Sequence, residues 1–501
     1  MLLVWVKRSG HPPGGQTSFE GSHLEDLIIV GGGVCGCSLL YDVSRYKISA
    51  LLLEKENDVA CGSSKANSGI VHAGYDPKPG TGMARFNIEG NVLVEKLSAD
   101  LDIPYKKIGS LVVGFDEADR QTIEELLERG NKNGVPGLRI ISGEELFRIE
   151  PNLSREVVCA LYAPSAGIVS PWELALIQAE CAVQGGAKVE FDCEVKSIRK
   201  EGDGFTVTTN KGDFSARYVV NAAGVHSDTI SRMVESEFFT ITPKSGEYFI
   251  LDTTEISIVN TVVFPCPSKL GKGVLVSPTI HGNIIVGPDS KDFTKEDFST
   301  TAAGLDYVRK NALQSVPSVN LRASIRNFSG IRADAGLDDF IIGESKETPG
   351  FFNMAGIKSP GLTSSPAIAQ EVVKLLHGKG LSKEPNPNFV AKRHVIRFKE
   401  LNEAEKSRVI RENPLYGTIV CRCQTVTEGE IVDALNRPLP PRSLDALKRR
   451  CNPGMGRCQG GFCSPKVLAL IAKHFNIQPE EVMQDKKGTY IVTGETKRGR
   501  V

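Results

Sequence analysis

One segment near the start of the chain constrains the fold most: an apolar strand, a glycine-rich turn and a helix in direct succession. The predicted strand covers residues 26–30, and Gly31, Gly33 and Gly36 follow it in G-x-G-x-x-G spacing. Glycines at this spacing permit a tight turn, a close approach of the backbone to a pyrophosphate and close packing of helix on strand. The helix, predicted to run through Arg45, would direct its positive N-terminal end at the phosphates.

A second apolar strand, predicted over residues 48–53, ends in Glu54. This carboxylate lies 21 residues after Gly33, where a dinucleotide fold places the acceptor for a ribose hydroxyl. A glycine triplet alone is weak evidence, whereas strand, turn, helix, strand and acid together predict a dinucleotide-binding unit.

Length and charge limit what the rest of the chain can be. A chain of 501 residues is long enough for roughly two to four domains. Its 60 basic and 60 acidic residues balance, so no whole-chain field favours nucleic acid. No stretch approaches the roughly 18–20 apolar residues that cross a bilayer, so we expect no transmembrane segment. We expect residues 1–24 to be a disordered leader.

Four cysteines near the C-terminus form two tight pairs, Cys421 with Cys423 and Cys458 with Cys463. Four thiolates suit an iron–sulfur cluster and also suit Zn²⁺. Of the 12 cysteines in the chain, the others have no pairing pattern and are expected to be packed thiols. This usage predicts a reducing compartment, and we expect a cytoplasmic protein, with any attachment to a membrane made through a partner.

The sequence around the cysteine pairs predicts short helices. Thr427 and Glu430 have the spacing of a capping box, residues 443–450 predict a second helix, and Pro465 follows Ser464 at a favoured first helical position. The pairs would then lie just ahead of helix N-termini, whose amides and dipoles favour negatively charged thiolates. Residues 378–416, rich in Gly, Lys and Pro at their start, predict a partly helical linker.

Several further segments resemble one family. Residues 218–224 predict a buried strand ending in small residues, residues 350–356 predict another, and a helix is predicted from Ser365 to about His377. In this order the chain resembles the FAD-dependent oxidoreductases of the D-amino-acid oxidase superfamily over about residues 25–378. Residues 67–74, 277–283 and 328–332 are similar to two of its branches, the L-2-hydroxyglutarate dehydrogenases and the catalytic subunits of anaerobic glycerol-3-phosphate dehydrogenases.

The resemblance implies an FAD-binding site and a catalytic site. The residues that it implies for FAD binding are Gly31, Gly33, Gly36, Glu54, Ser63, Ser64, Asn67, Ser68, Val195, Ala223, Gly224, Gly356, Gly361, Leu362 and Thr363. For the reaction it implies His72, His281, Arg332 and Tyr248. Histidine titrates near neutral pH and can remove a hydroxyl proton, and arginine offers a planar fork to a carboxylate or phosphate. Lys358 departs from the relatives, which carry an acidic residue there.

The stretch from Cys421 to Cys463 resembles the bacterioferritin-associated-ferredoxin-like [2Fe–2S] module, which also ends the glycerol-3-phosphate dehydrogenase subunit. The resemblance implies that the four paired cysteines are the ligands and that Cys451 is a spare thiol. It favours an iron–sulfur cluster over zinc, since a flavin domain gives a one-electron carrier a purpose.

Together these features predict an α/β + α fold: a Rossmann-like FAD-binding domain with an interleaved α+β substrate domain, then a small helical [2Fe–2S]-binding domain. The expected divisions are residues 25–377 for the oxidoreductase, with its substrate part mainly 90–150 and 240–335, then 378–416, 417–478 and a tail, 479–501.

The expected enzyme oxidises a small anionic secondary alcohol, first glycerol 3-phosphate and second L-2-hydroxyglutarate. It would pass the electrons through the cluster to an acceptor protein or a quinone-linked subunit. An electron-transfer subunit with a silent substrate pocket, and an amine or amino-acid oxidase, are the alternatives.

Overall fold

Strands and helices alternate through the first half of the chain, as the glycine-rich turn motif requires. The structure is a computed structural model that describes residues 24–236, 239–267 and 273–495, so the predicted leader lies outside the described residues except for Leu24. The strands are β1 (Leu24–Val30), β2 (Ala50–Leu53), β3 (Ile70–Val71), β4 (Tyr105–Lys107), β5 (Ser110–Gly114), β6 (Arg139–Ile141), β7 (Cys159–Ala163), β8 (Gly167–Val169), β9 (Lys188–Glu190), β10 (Val195–Glu201), β11 (Gly204–Thr209), β12 (Gly212–Asn221), β13 (Thr242–Leu251), β14 (Val262–Pro265), β15 (Leu275–Pro278), β16 (Ile284–Gly287), β17 (Lys291–Asp292), β18 (Ser324–Asp334), β19 (Ile341–Glu344), β20 (Phe351–Ala355), β21 (Ile419–Cys421) and β22 (Val426–Thr427).

The α-helices divide into those that cover the sheets and those of the C-terminal part of the chain. They are α1 (Val34–Val43), α2 (Gly82–Leu101), α3 (Glu117–Asn133), α4 (Gly143–Ile149), α5 (Pro171–Gln184), α6 (Ser227–Ser231), α7 (Ala302–Ser315), α8 (Gly361–Gly378), α9 (Glu403–Glu412), α10 (Glu428–Leu435), α11 (Leu444–Cys451) and α12 (Ser464–Phe475). Within the described residues, no helix is both long and apolar enough to cross a membrane.

The first sheet is built around the strand that precedes the glycine turn. Its strand order is β10-β11-β12-β1-β2-β9, and β20 pairs with both β12 and β19. Pairings of β1 with β2 and with β12 are parallel, as is the pairing of β12 with β20. Residues of β1 such as Leu27, Ile28 and Ile29 are fully buried, which is the continuous apolar pattern of a strand covered on both faces.

Helices α1 and α8 cover one face of this sheet and differ slightly from the prediction. Helix α1 ends at Val43 rather than Arg45. Helix α8 begins at Gly361 rather than Ser365, so Pro366 lies inside the helix instead of at its start. Pro366 has no N–H for the carbonyl of Leu362, and the hydroxyl of Ser365 donates to that carbonyl instead, at 3.0 Å.

The second sheet has the order β17-β13-β16-β15-β14-β5-β7-β6, and β18 pairs with β13. It packs against α7 through a cluster of buried residues that includes Val276, Val286 and Val308. The long antiparallel β13–β18 pair places Tyr248 opposite Phe328 and Lys244 opposite Arg332. A third, small sheet has the strand order β3-β8-β4, and both of its pairings are antiparallel.

The C-terminal part is a small helical module with its own core. Helix α10 starts with the predicted capping box: Thr427 accepts from the amide of Glu430, whose side chain accepts from the amide of Thr427. Helix α11 is capped by Ser443, and α12 has Pro465 in its first turn. The predicted helix starts are therefore confirmed.

The segment that connects the oxidoreductase part to the C-terminal module is packed and contacts the oxidoreductase part. Phe398, Val409 and Tyr416 form a small buried cluster around α9. Arg397 donates to the carboxylate of Asp102 at 2.8 Å, which ties the segment to the end of α2. Residues after α12 return to the oxidoreductase part, because Asn57 donates to the carbonyl of Asp485.

Candidate functional site

A large cavity lies at the end of the first sheet that carries the glycine turn. Its volume is about 1290 Å³, larger than most small-ligand pockets. The residues predicted for cofactor binding that line it are Gly31, Gly33, Glu54, Ser63, Ser64, Asn67, Ser68, Val195, Ala223 and Gly224. These residues lie between Gly31 and Gly224 in the sequence. Segments that are far apart along the chain therefore form the cavity together, and no single motif accounts for it.

The glycine turn is so close to its neighbours that it excludes side chains. Gly31 has φ of +108°, and a Cβ there would meet the carbonyl oxygen of Ala222 at 2.6 Å. A Cβ on Gly36 would lie 2.0 Å from the carbonyl oxygen of Gly31. The turn thus presents bare backbone at the start of α1, where the helix dipole favours an anion such as a pyrophosphate.

Glu54 lies at the end of β2 and is almost fully buried. One carboxylate oxygen accepts from the amide of Gly32 at 2.6 Å, and the other accepts from the amide of Glu56 at 2.9 Å. Burial raises the pKa of Glu54, and the two amides act in the opposite direction. The carboxylate is fixed at the cavity wall, where it can accept from a ribose hydroxyl.

His72 lies just after β3, beside the start of α8. Its Nε2 lies 3.3 Å from the hydroxyl of Ser359, and its ring stacks on Phe264 with centroids 6.1 Å apart. Its backbone amide donates to the hydroxyl of Thr363 at 2.9 Å. Gly361 and Leu362 open the same helix, and its preceding loop contains Gly356. The fold therefore brings His72 together with the late segment that the sequence predicted for cofactor binding.

Arg332 and Tyr248 meet between β13 and β18. Burial raises the pKa of the Tyr248 hydroxyl, and the positive charge of Arg332 acts in the opposite direction. The guanidinium of Arg332 donates to the carbonyls of Ser245 at 3.3 Å and Asp289 at 3.4 Å. Among the described residues, no carboxylate pairs with Arg332 within 4.0 Å, so the cation keeps capacity for an anionic ligand.

Two other predicted positions have clear partners. His281 stacks on Trp172 with centroids 5.3 Å apart, and its Nε2 lies 3.3 Å from the hydroxyl of Ser170. Burial lowers the pKa of His281, so the neutral ring is favoured. Lys358, the departure from the relatives, pairs with Asp334 at 2.7 Å and does not stand as a free cation.

The C-terminal module contributes part of the cavity wall, which sequence reasoning missed. Lys448, Met455, Gln459 and Lys486 all line the cavity. Burial and the neighbouring Arg326 lower the pKa of Lys448 to about 8. Nothing in the local sequence of α11 signals this position, because the facing residues belong to a domain hundreds of residues earlier.

The four paired cysteines come together in the module. The sulfurs of Cys421 and Cys423 are 3.8 Å apart, and those of Cys423 and Cys458 are 3.9 Å apart. The neighbouring Cys421 thiol lowers the pKa of Cys463. No three metal-ligating side chains of the described part converge on one point, so the fit rests on these pairwise distances and on four thiols as soft ligands.

The four cysteines differ in how strongly the protein favours their thiolate forms: a neighbouring thiol and burial raise the pKa of Cys421, burial and neighbouring thiols raise that of Cys423, whereas that of Cys458 is lowered. Burial acts to raise the pKa of Cys458, yet amides of Phe462 and Gly460 and the Cys423 thiol lower it below its ordinary value. Cys451 lies apart from this group, half-buried, and its thiol donates to the carbonyl of Leu447 in its own helix. The donor set suits an iron–sulfur cluster.

A buried ion-pair network fixes the module to the oxidoreductase part. Asp58, only 2% exposed, accepts from Arg449 at 2.7 Å and from Arg450 at 2.8 and 2.9 Å. Arg450 also lies 3.4 Å from Glu180 of α5. Nearer the cysteines, Arg457 pairs with Asp252 at 3.0 Å. The cysteine group is therefore held beside the cavity by charges from both parts.

Comparison with known proteins agrees with this division. Residues 26–375 match the family model of the FAD dependent oxidoreductases, and residues 419–473 match that of the BFD-like [2Fe-2S] binding domain. A glycerol 3-phosphate dehydrogenase of Caloramator mitchellensis is 44% identical over 474 residues, which are 94% of this chain and 99% of that protein.

Two further comparisons cover the oxidoreductase part alone. An L-2-hydroxyglutarate dehydrogenase of Escherichia coli is 28% identical over 410 residues, covering 73% of this chain and 96% of that protein. The solved structure of dithionite-reduced L-alpha-glycerophosphate oxidase from Mycoplasma pneumoniae with FAD bound is 32% identical. It has a TM-score of 0.71 and covers 75% of this chain and 99% of that one.

The predicted fold class and cofactors are thereby confirmed. The glycine turn, Glu54 and the cavity fit FAD, and the four clustered thiols fit the cluster of the second family. The chain belongs to the FAD-dependent oxidoreductases, and it carries a C-terminal [2Fe–2S]-binding domain of the BFD-like family.

Proposed function

We propose that this protein oxidises glycerol 3-phosphate to dihydroxyacetone phosphate with FAD and delivers the electrons through its [2Fe–2S] cluster to a separate acceptor. The observation that carries the proposal is the 44% identity to a glycerol 3-phosphate dehydrogenase over 94% of this chain, since that similarity includes both the flavin part and the cluster part.

Arg332 is the proposed anchor for the anionic end of the substrate. Its guanidinium is oriented by two backbone carbonyls, and it has no carboxylate partner within 4.0 Å among the described residues. A guanidinium held in this way offers parallel N–H donors to phosphate oxygens. Two neutral carbonyls orient it without cancelling its charge, which keeps its attraction for a dianion.

His72 is the proposed base. Its Nε2, 3.3 Å from the Ser359 hydroxyl, would accept the proton of the substrate hydroxyl, and Ser359 would hold the ring in position. Bound FAD supplies the acceptor for the hydride that leaves the carbinol carbon. Stacking on Phe264 and the hydrogen bond from the His72 amide to Thr363 restrict how far this segment can move.

We further propose a division of labour along the chain. Residues 25–377 bind FAD and substrate, residues 378–416 connect, residues 417–478 hold the cluster through Cys421, Cys423, Cys458 and Cys463, and residues 479–501 form a tail. The separate cores around α1 and α8 and around α10 to α12 support this division. The cluster gives the two electrons of one alcohol oxidation a route out in single steps, and a cytoplasmic place for the enzyme is part of the same proposal.

The test is an anaerobic visible spectrum of the purified protein. Glycerol 3-phosphate should bleach the flavin and change the cluster absorbance, and an iron-to-protein ratio near two should accompany it. Zinc in place of iron, or an unchanged spectrum with saturating substrate, would contradict the proposal.

L-2-Hydroxyglutarate is the second candidate substrate, because the oxidoreductase part also matches dehydrogenases of that name. Both compounds carry an anionic group on a secondary alcohol, so Arg332 suits either. Parallel titrations that compare the rate of bleaching per unit concentration decide between them. Arg332→Ala and His72→Ala should abolish bleaching with FAD still bound. If both variants are reduced normally, Arg332 and His72 do not act on the substrate. If neither compound bleaches the flavin of the unmodified protein, the chain is an electron-transfer subunit whose substrate pocket is silent.

A further inference from the structure

The cysteine group has an exposed aromatic residue at its outer side. Phe462 directly precedes Cys463, and its side chain is 84% exposed, more than any other large hydrophobic residue of the described chain. The next most exposed, Val92, reaches 65% on the surface of α2. Gly460 and Gly461 precede Phe462, so no side chain from the same loop shields its ring.

The module that holds the cysteines is rich in basic residues. Residues 417–478 contain nine Lys or Arg residues and four Asp or Glu residues. Arg422 and Lys466 are exposed, and among the described residues neither forms an ion pair within 4.0 Å. The whole chain has a net charge of zero, so this is a local separation of charge and not a general excess.

The other side of the cysteine group is already occupied. Met455 and Gln459 line the flavin cavity, and Arg457 is held by Asp252 of the oxidoreductase part. Cys423 and Asn283 share a small second cavity between the two parts, and Asn283 also lines the large one. The cysteine group thus has an inner side, packed against the flavin domain, and an outer side formed by Phe462, Arg422 and Lys466.

We propose that this outer side is the docking surface for a one-electron carrier protein whose own contact face is acidic. The inference rests on the proposed function, since it assumes that electrons leave through the cluster. One alcohol oxidation releases two electrons and two protons. Each carrier molecule takes one electron, so two carriers are reduced for each ketone formed, and the protons go to solvent.

The chemistry of the surface fits a brief encounter. Unpaired cations raise the association rate of a partner of opposite charge, and the effect weakens as salt screens it. A single aromatic ring at the centre provides a contact from which water is excluded, with little conformational entropy to lose. Small interfaces are typical of electron-transfer partners, and a surface formed by one aromatic ring and two cations matches that class.

Two probes of opposite charge test the proposal on the complete enzyme. Plastocyanin is a one-electron copper protein with an acidic face, and cytochrome c is a one-electron haem protein with a basic face. Stopped-flow reduction of plastocyanin should be faster and should slow as salt rises from about 0.01 M to about 0.15 M, over which the Debye length falls from roughly 30 Å to about 8 Å. Cytochrome c should show the opposite salt dependence.

Single substitutions locate the surface. Phe462→Ser and Lys466→Glu should each lower kcat/KM for plastocyanin about tenfold, the size of a central contact at a small interface. Val92→Ser and Lys473→Glu are matched controls. The four variants are compared at about 0.15 M salt, where the Debye length is about 8 Å. Lys473 lies on the same helix seven residues after Lys466, roughly 10 Å further along, so its charge is largely screened from the contact under that condition. Bleaching of the flavin by substrate should stay unchanged in all four variants.

A binding measurement separates docking from turnover. Copper(I) plastocyanin accepts no electron, and its affinity for the enzyme should fall in Phe462→Ser and Lys466→Glu by the same factor as kcat/KM. Equal rates with both probes, or variants that match their controls, would overturn the proposal, as would burial of Phe462 in a dimer that Phe462→Ser dissociates. Reduction by dithionite in place of substrate tests docking even if the substrate assignment fails.

Discussion

Replacing Asp58 by Asn should loosen the C-terminal module without unfolding the flavin part. The carboxylate makes three charge-assisted contacts, at 2.7, 2.8 and 2.9 Å, to Arg449 and Arg450. Arg450 is fully buried in its side chain, and Arg449 is 6% exposed. Removing one partner of such a buried pair leaves charge uncompensated and costs about 3–5 kcal/mol. At 1.4 kcal/mol per tenfold, the equilibrium constant between docked and undocked module falls by about 10²- to 4 × 10³-fold.

Urea unfolding followed at two wavelengths measures this cost. Visible circular dichroism of the cluster reports the module, and flavin fluorescence reports the oxidoreductase part. With a urea slope of roughly 1–3 kcal/mol/M for a unit of this size, the module's midpoint should drop by at least about 1 M in the variant. The flavin transition should move much less, because the core around α1 and α8 keeps all of its apolar contacts.

An exposed ion pair provides the matched control. Asp306→Asn removes a carboxylate that pairs with Arg309 and Lys310 on the surface of α7, and such pairs contribute at most about 1 kcal/mol. If Asp58→Asn shifts the module's midpoint no further than this control, the buried network does not hold the module.

The same ion-pair network determines the pH below which the C-terminal module loosens. Burial alone would raise the pKa of Asp58, but Arg450 and Arg449 lower it below its ordinary value. A carboxylate with a lowered folded pKa stabilises above its unfolded pKa, about 3.9, and that contribution is lost as pH falls through the folded pKa. The wild-type module should therefore loosen only below about pH 4, whereas the Asn variant should show no such acid step.

The other predictions concern substrate binding, the cluster ligands and the ion pair between Asp252 and Arg457. Arg332→Lys should raise KM for glycerol 3-phosphate by about tenfold or more while FAD stays bound, as followed by initial rates. Cys423→Ser should remove the cluster's visible absorbance but leave substrate bleaching intact, whereas Cys451→Ser should retain the cluster. Asp252→Asn should slow reduction of the cluster after the flavin bleaches, in rapid-scan spectra, because Arg457 loses its partner.

The glycine turn, the acid after β2 and the capping box of α10 were predictable because each is a local pattern with a local physical cause. Glu54 and the glycines lie within one strand–helix–strand unit, so spacing alone places them. The start of α8 was predicted four residues late, since Ser365 beside Pro366 looks like a helix start when its hydroxyl in fact replaces the missing proline N–H.

No local sequence pattern predicts how the C-terminal module attaches to the flavin part. Asp58 meets Arg449 and Arg450 across separations of 391 and 392 residues, and the sequence around each is an ordinary loop or helix. The position of Lys448 on the cavity wall was also not predictable from the sequence. Its place on the cavity wall depends on how α11 rests against the flavin part, which follows from packing of the whole and from no pattern within α11.

The way the module is attached constrains how electrons can leave. A domain on a free tether would have to find the flavin in each cycle, and its rate would depend on linker length. Here the buried Asp58 network, the Arg397–Asp102 pair and the return of the tail to Asn57 hold the module in one place. These contacts place the inner side of the cysteine group against the flavin cavity. The proposed exchange of electron carriers would then take place at its outer side, where Phe462, Arg422 and Lys466 are exposed.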